Sequence, residues 1–488
     1  MKKTRIWKAL LYVSILLLLS GDVFAQTDVQ PNYNVTVTLE GTWLEIGRQT
    51  SEYFPDVLFN GAYQFTQMFE ISGITLDALM EYYNQIEPII PQDIKDQMDG
   101  MAMGLHEIWY VPYPMAREIV IIWNFGIDML FIPPPATQDI GCTAFAFTSK
   151  DGTYLGHNTD NNINAQGMGA LIQYKPTNKD NSFFSVFSPG FVGVALAVNE
   201  KKVAITYNVG DPNKNPLPGL PALFMNRIVM AKADNLTQAV GYFVDYLDKG
   251  GYYGYQGTNL LLVDFKDSSM ARLQVCSDDI KVTYGQELKP GVTYVACTNF
   301  FDDDFSPATP DTLNDSSHQR YARLMEMLPQ FETYDLNTCW AILSDTNGGE
   351  PTNTTICREG GQTITTVTNV FTPEDLYNIP GPGIPCRYLA EFETPQRINH
   401  GQGFKACIRG VVTSQGKPLE KAKVELTGIP EDGIAMTIFT PEDGGFVFSD
   451  LPEGLYKIQV VRGLHVPQVK VVYYNGVDTA EVAINFPN

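Results

Sequence analysis

The order of helical and strand periodicities restricts the fold of this 488-residue chain more than any other feature of its sequence. From about residue 30 to 140, apolar residues recur every three or four positions, as in segments 76–83 and 94–105, which is typical of helices. Pro133-Pro134-Pro135 ends this region. From Gly141 onward the pattern changes to the alternation typical of strands, so a helical block precedes a different kind of unit.

The unit after Gly141 combines two blocks of strands with helices between them. Strands are predicted at 142–147, 154–157, 170–174, 183–187, 191–198, 203–207, 260–264, 271–275 and 292–297. Helices are predicted at 221–247, 317–328 and 336–343. Asp151-Gly152 is typical of a two-residue hairpin turn between the first two strands. This arrangement predicts an α+β layered fold with mostly antiparallel sheets.

The last 85 residues form a pattern of their own. A proline- and glycine-rich stretch at 379–385 closes the larger unit, and residues 391–403 read as a polar linker. In residues 404–488, tight-turn signals such as 443–446 and 451–456 separate short strands. We therefore predict a small all-β sandwich. It resembles the carboxypeptidase-regulatory-like domains of exported bacterial proteins, a resemblance that implies no catalytic residue in this part.

The N-terminus has the pattern of a secretory signal. Four basic residues lie within the first eight positions, an apolar run follows at 9–19, and Val23-Phe24-Ala25 fits a signal-peptidase site. We place cleavage after Ala25 and exclude residues 1–25 from the fold. The mature protein is thus expected in the periplasm, the cell envelope or the extracellular space.

Charge and hydropathy limit the partners. The whole chain carries −22, and removal of the signal segment leaves about −25. Such a surface repels nucleic acid and anionic lipid. The apolar run Ile119–Ile132 is short and contains Asn124 and Asp128, so it predicts a buried helix. We expect no nucleic-acid partner and no membrane insertion once the signal is removed.

The seven cysteines leave one unpaired in any full set of disulfides. If Cys142 is the free thiol, six are available for pairing, and the sequence leaves their connectivity open. These six are Cys276, Cys297, Cys339, Cys357, Cys386 and Cys407.

Cys142 stands at the point where helical periodicity gives way to strands. By itself it could be an ordinary buried cysteine. A cysteine at a new chain start, however, has an advantage: a free α-amino group has a pKa of about 8 and can act as base for the thiol. No histidine is then required, and the five histidines form no triad or metal-ligand spacing. We expect neither a metal nor a cofactor.

The segment around Cys142 carries a family resemblance. Gly141-Cys142-Thr143, the Asp151-Gly152 hairpin and the Asn158-Thr159-Asp160 run match the pattern of N-terminal-nucleophile (Ntn) hydrolases. Residues 33–385 resemble the branch with penicillin acyltransferase-type enzymes, acid ceramidase and N-acylethanolamine amidase. The resemblance implies an αββα sandwich at 142–390, a helical pro-segment at 26–141 and self-cleavage between Gly141 and Cys142.

The same resemblance implies roles for four further residues. Asn299, in a Thr-Asn element, and Asn208, at the end of paired strands, would hold the oxyanion. Arg320, in a Ser-x-x-Arg helix start, would be the site arginine, and Asp160 would hold the α-amino group or orient the nucleophile. Alternatives remain open: Asn208 and Asp160 could be turn residues, Asn299 a polar strand end, and Arg320 a solvated helix charge.

One position departs from the family. Bile-salt hydrolases and ceramidases carry an arginine where this chain has His157. The change puts in doubt an anionic or sphingolipid-type substrate selected by that arginine.

The sequence thus predicts an exported hydrolase of linear amide bonds that works through an acyl-Cys142 intermediate, with a small N-acyl amide as substrate. Water or an amine could accept the acyl group, and the excised pro-segment could stay bound as a partner. Two alternatives are a non-catalytic envelope scaffold, which would not be cut at Gly141–Cys142, and a thiol peptidase, which would prefer peptides.

Overall fold

The computed structural model describes residues 37–129, 141–162, 170–210, 217–254, 257–305, 315–360, 363–379, 385–392, 395–398, 400, 408–429, 435–441, 444–448, 451, 454–462, 467–474 and 480–486. The chain divides into two compact units, Met1–Ile398 and Asn399–Asn488. The predicted signal segment 1–25, the proline run 133–135 and Cys407 lie outside the described residues. The helix and strand at the end of the first unit extend into the segment 391–403 that the sequence suggested as a linker.

Five helices make up most of the N-terminal region. They are α1 (Trp43–Tyr53), α2 (Pro55–Ser72), α3 (Leu76–Ile86), α4 (Gln92–Glu107) and α5 (Tyr113–Met129). Thr42 caps α1 through a capping box with Glu45. Helices α1 and α4 approach closely because Gly47 and Gly100 lie at their contact, where a Cβ on either residue would overlap the backbone of the other helix.

The described part of residues 30–140 is mainly helical, as predicted, but it begins with a strand. Strand β1 (Val37–Gly41) pairs in parallel with β4 (Ala170–Pro176), with Val37 opposite Ile172. Its first two residues are β-branched, which suits a strand. Pairing with a partner 135 residues later in the chain decides the outcome, and no local pattern contains that information.

The first sheet has the strand order β1-β4-β5-β6-β7-β8-β9-β10. The remaining strands are β5 (Phe183–Phe187), β6 (Ala197–Asn199), β7 (Val203–Gly210), β8 (Gly257–Asp264), β9 (Ser269–Val275) and β10 (Ile280–Tyr284). Helices α6 (Ala222–Lys232) and α7 (Leu236–Asp248) pack on this sheet. The single helix predicted at 221–247 is therefore two, because Asn235 caps the second through a hydrogen bond from the Gln238 N–H.

The second sheet has the order β11-β12-β2-β3-β14-β15-β16, with β13 paired to β14. Its strands are β2 (Gly141–Ser149), β3 (Gly152–Asn162), β11 (Gln286–Lys289), β12 (Val292–Cys297), β13 (Glu359–Gly360), β14 (Thr363–Phe371), β15 (Leu376–Ile379) and β16 (Gln396–Ile398). Helices α8 (Asp315–Met327) and α9 (Leu336–Leu343) cover it, and α10 (Pro385–Phe392) contacts α9. A two-residue hairpin turn joins β2 and β3, but it consists of Lys150 and Asp151, one position before the predicted Asp151-Gly152, because Gly152 already pairs with Ser149.

The two sheets pack against each other through β2 and β12 on one side and β7, β8 and β9 on the other. Side chains on β2 alternate accordingly. Phe145 and Phe147 belong to the apolar cluster shared with α8 and α9, whereas Cys142, Ala144 and Ala146 lie on the opposite face. The helix–sheet–sheet–helix order confirms the predicted αββα fold. The strand predicted at 191–198 is shorter, because only its end pairs in β6.

From residue 408 onward, the secondary-structure elements described for the second unit are all strands. One sheet contains β18 (Lys417–Pro418), β17 (Ile408–Ser414), β21 (Gly445–Phe448) and β24 (Ala480–Phe486); the other contains β20 (Ala435–Phe439), β19 (Lys423–Ile429), β22 (Gly454–Val461) and β23 (Gln468–Tyr474). Alternating residues of both sheets form one core that includes Phe446, Phe448, Tyr456 and Ile458. This agrees with a small sandwich.

Only part of the cysteine framework is paired in the described residues. Cys357 and Cys386 form a disulfide. Cys297 and Cys339 are buried thiols that form no disulfide, and the same is true of Cys142. The six cysteines available for pairing therefore do not form three disulfides among the described residues. None of the described helices combines the length and apolarity needed to cross a bilayer.

Candidate active site

Cys142 lies at the beginning of β2, on the face that packs against the first sheet. Gly141 pairs with Asp160 of β3, and Cys142 pairs with Thr159. The side chain of Cys142 is 4% exposed. Its backbone N–H donates a hydrogen bond of 2.8 Å to Asn299 Oδ1, since Asn299 follows the neighbouring strand β12 by two residues. The fold thus brings together three of the residues predicted from the sequence.

Asp160 lies between two guanidinium groups. Its Oδ2 is 3.4 Å from Arg358 Nη1 and 3.8 Å from Arg320 Nη1, and its Oδ1 accepts a 2.7 Å hydrogen bond from the Thr365 hydroxyl. The residue is fully buried within β3, which excludes the alternative of an ordinary turn. Burial raises the pKa of the carboxyl, while Arg358 and Arg320 act to lower it.

Arg320 is the centre of the hydrogen-bond network around the cysteine. Its Nη1 donates to the Cys142 carbonyl and, at 2.9 Å, to Thr143 Oγ1, and its Nη2 donates to Asn299 Oδ1 at 2.9 Å. The side chain is buried although it lies in the first two turns of α8. The alternative of a solvated helix charge is therefore wrong.

Arg358 was not singled out from the sequence. It is fully buried, its Nε donates to the Asn353 carbonyl at 2.9 Å, and its Nη2 donates to Asn353 Oδ1. The disulfide from the preceding residue, Cys357, to Cys386 ties this segment to α10. The sequence contains one indication that Arg358 is buried: it lies between Ile356-Cys357 and the threonine-rich strand 363–368. Its partner Asp160 is 198 residues away in the chain, so no local motif connects the two residues.

The orientation of Asn299 follows from its neighbours. Oδ1 faces two N–H donors, Cys142 and Arg320, so it must be the oxygen. Nδ2 donates to the Val209 carbonyl at 2.7 Å, and the backbone N–H donates to Ser317 Oγ at 2.7 Å. In the uncut chain this amide therefore holds the backbone of the cysteine, and its own N–H groups point toward β7.

Asn208 lies one step further from the cysteine. Its Nδ2 donates to the carbonyls of Cys297 and Thr298, both at 3.3 Å, and so supports the turn that carries Asn299. The residue is fully buried within β7, so it does not open a turn, as the alternative had it. The contacts described for its side chain place it behind Asn299 rather than against Cys142.

His157, the residue that departs from the family pattern, fixes the other end of Asn208. Its Nε2 faces two acceptors, the Tyr207 carbonyl at 3.3 Å and Asn208 Oδ1 at 3.1 Å, so the proton lies on Nε2. Its Nδ1 accepts from Thr159 Oγ1 at 3.2 Å. Burial lowers the pKa of this imidazole to about 4, and the ring is neutral at neutral pH.

We expect His157 to make stability fall on acidification. The unfolded imidazole takes up a proton near pH 6.5 and the folded one only near pH 4, so the unfolded state binds more protons in that window. About 3 kcal/mol should be lost between pH 6.5 and 4. Denaturant unfolding of wild type and His157→Gln across pH 4–8 measures this. The variant should show the shallower pH dependence, and equal slopes would contradict the assignment.

Burial also raises the pKa of the Cys142 thiol, to about 12, and the charge of Asp160 adds to the effect. The Asp160 backbone N–H and the Arg320 guanidinium act in the opposite direction. The thiol is therefore neutral in the uncut chain at neutral pH. A nearby base is needed to make it a nucleophile.

The described residues contain no cluster of three or more side chains suited to a metal ion. The acidic run at 302–304 is engaged by cations. Asp302 pairs with Arg272 at 2.9 Å and with Lys281 at 2.9 Å, and Lys281 also pairs with Asp304 at 2.6 Å. The run therefore serves as part of an ion-pair network.

Comparison with known proteins bears on this site. The family model for acyl-coenzyme A:6-aminopenicillanic acid acyl-transferase matches residues 147–377, just under half of the chain. The resemblance to the penicillin acyltransferase branch is confirmed. The match supports an enzyme of the Ntn-hydrolase or acyltransferase type that acts on amide bonds.

More distant similarities add little. An uncharacterised protein of Archaeoglobus fulgidus is 28% identical over an alignment of 170 residues, which covers 32% of this chain and 28% of that protein's length. The Caenorhabditis elegans N-acylethanolamine-hydrolyzing acid amidase ortholog is 11% identical with a TM-score of 0.34, covering 48% of this chain and 93% of that one. A mutant conjugated bile acid hydrolase of Clostridium perfringens is 14% identical with a TM-score of 0.35, covering 53% and 92%. At these scores the two structures carry no argument about the site.

Proposed function

We propose that the protein is an exported, self-processed cysteine amidase that cleaves linear N-acyl amides through an acyl-Cys142 intermediate. The observation that carries the proposal is the position of Cys142: its backbone nitrogen is bound to Asn299 Oδ1 and its carbonyl to Arg320, beside the buried Asp160. Any buried residue needs partners for its backbone N–H and C=O, but here the partners are an amide and a guanidinium group that lie beside a buried carboxylate.

Self-processing would convert the buried peptide nitrogen of Cys142 into the missing base. The thiol attacks the Gly141 carbonyl, the S–C bond forms and the C–N bond breaks, and the thiol proton passes to the departing nitrogen. Water then hydrolyses the thioester and releases the Gly141 carboxylate. The free α-amino group, with an ordinary pKa of about 8, remains next to the thiol.

The same steps would serve an external amide. The α-amino group takes the thiol proton while sulfur attacks the substrate carbonyl, and the proton passes to the leaving amine as the C–N bond breaks. Water, or an amine in an acyl transfer, attacks the acyl-Cys142 thioester and regenerates the thiol. The residues support acyl transfer through sulfur, and the amide substrate follows from the family match.

Stabilisation of the oxyanion would require a change in Asn299. In the uncut chain Oδ1 accepts the Cys142 N–H, and Nδ2 is bound to Val209. Cleavage turns that N–H into an amine, which is no longer fixed in a peptide plane and can rotate its N–H groups away from Oδ1. A turn of the amide then presents Nδ2 to the substrate carbonyl, supported by Asn208 from behind through the Cys297 and Thr298 carbonyls.

The pro-segment is proposed to stay bound after cleavage. It supplies β1 to the first sheet, and Trp123 of α5 packs edge-on against Phe191 at 5.1 Å. Phe125 of α5 packs in the same way against Phe224 at 5.2 Å. These contacts are part of the core, so the mature enzyme would be a complex of two chains.

Intact mass and N-terminal sequencing test the proposal on purified wild type and Cys142→Ala. Wild type should give two chains, the second beginning at Cys142, and the variant should give one uncut chain without activity on N-acyl amides. A thiol-directed acyl electrophile should label only the cut wild type.

Thr143→Val is a matched control for the substitution, because Thr143 also contacts Arg320 but carries no thiol. We expect it to be cut, though more slowly. An uncut wild type without thiol labelling would instead support the scaffold alternative, and a preference for peptides over acyl amides would support the peptidase.

A further inference from the structure

Gly141, the residue before the cysteine, occupies the most restricted space in the site. A Cβ at this position would overlap Arg358 Nη1 and would lie 2.8 Å from Arg320 Nη2 and 3.3 Å from Asn299 Oδ1. Gly141 does not have a positive φ, so any residue could adopt its backbone conformation. Glycine is required here for space alone.

The two guanidinium groups have little freedom to move aside. Arg358 is held by Asn353 and Asp160, and Arg320 by Thr143 and Asn299. Both side chains are buried, so displacement would leave polar groups without partners away from water. The side chains of Arg320 and Arg358 therefore form a fixed wall beside the α-carbon of Gly141. We call these two side chains the arginine wall, and the same two residues lie close to the nucleophile.

The proposed chemistry connects this wall to the substrate. During self-processing the acyl group on Cys142 Sγ is the carbonyl of Gly141, with the Gly141 α-carbon attached. In the reaction with an external amide, the acyl group on the same sulfur is that of the substrate. The α-carbon of the substrate acyl group thus takes the place of the α-carbon of Gly141.

We propose that the mature site selects acyl groups whose α-carbon carries no substituent in the direction of an L side chain. This inference rests on the proposed function and narrows its substrate class to amides whose acyl α-carbon is unbranched or is branched only away from Arg320 and Arg358. Acyl groups derived from L-amino acids carry a Cβ in that direction and are excluded by Arg320 and Arg358. The geometry therefore disfavours peptides as substrates.

Enantiomers provide the test, because their intrinsic reactivity is identical. Octanoyl and phenylacetyl amides of a fluorogenic amine are first compared with cut wild-type protein, and the better one is prepared as both enantiomers of its α-methyl derivative. The R enantiomer places its methyl group where an L side chain would project. We expect its kcat/KM to be at least about tenfold below that of the S enantiomer.

Gly141→Ala tests the same wall without an external substrate. Intact mass over time should show cleavage at least about tenfold slower than in wild type. Thermal unfolding compared with uncut Cys142→Ala shows whether the variant folds. Equal rates for the two enantiomers, or normal cleavage of folded Gly141→Ala, would overturn the proposal. If neither unbranched amide is hydrolysed, the proposed function fails. The cleavage rate of Gly141→Ala then still shows whether Arg320 and Arg358 exclude a Cβ at this position.

Discussion

Asp160→Asn should destabilise the larger unit by about 3–5 kcal/mol and abolish cleavage at Gly141–Cys142. The substitution keeps the volume of the side chain but removes the carboxylate of Asp160, which lies between Arg320 and Arg358. Two buried guanidinium groups would then lose this counter-charge. The measurement is denaturant unfolding in the Cys142→Ala background, where the chain stays in one piece, together with intact mass in the wild-type background.

Thr365→Val is the matched control for this prediction. It removes a 2.7 Å hydrogen bond to the same carboxylate without changing the charge, and should cost about 1–2 kcal/mol. If Asp160→Asn leaves the unfolding midpoint unchanged, the carboxyl is already protonated in the folded protein. In that case the effect of burial on its pKa outweighs that of the two arginines.

Asp93→Ala should weaken the attachment of the pro-segment by about 3 kcal/mol, which corresponds to roughly a hundredfold in the dissociation constant of the cut chains. Asp93 on α4 lies 2.7 Å from Arg227 Nη1 on α6, across the proposed cleavage site in sequence. Arg227 is 1% exposed, it lies 3.5 Å over the ring of Trp43, and its Nε and Nη2 have no hydrogen-bond partner among the described residues. Loss of Asp93 would leave this buried charge without its carboxylate.

Native mass spectrometry of the cut protein at falling concentration measures this effect. Lys232→Ala is the control, because Lys232 lies 3.7 Å from the same carboxylate but is 38% exposed. A pair this exposed contributes at most about 1 kcal/mol. Equal effects of the two substitutions would show that the buried pair does not hold the segments together. If the chain is not cut, the same comparison can be made by denaturant unfolding.

The sequence predicted the layers of the fold because many strands of the two sheets carry their own local pattern, although β1, β10, β11 and β13 to β16 were not predicted. Phe183–Phe187 matched β5 residue for residue, and the hairpin of β2 and β3 was predicted with its turn one residue too late. Cys142, Asp160, Asn299 and Arg320 were recognised from motifs in short segments, and the structure brings their polar groups into contact.

The parts that escaped prediction depend on distant partners. Arg358 belongs to the site because its guanidinium group contacts Asp160, which is 198 positions away in the chain. Residues 37–41 form a strand because they pair with β4. Among the cysteines, Cys297 and Cys339 are buried without forming a disulfide, and no spacing rule shows this. In each case the pattern is compatible with several outcomes until the fold selects one.

The parallel pairing of β1 with β4 has a practical consequence for any attempt to obtain the catalytic part alone. A polypeptide begun at Cys142 would lack Val37–Gly41, and β4 would become an outer strand with a row of unsatisfied N–H and C=O groups. Such an edge recruits other chains and promotes aggregation. Recombinant production should therefore include the segment from residue 37 onward, or supply it as a separate polypeptide during folding.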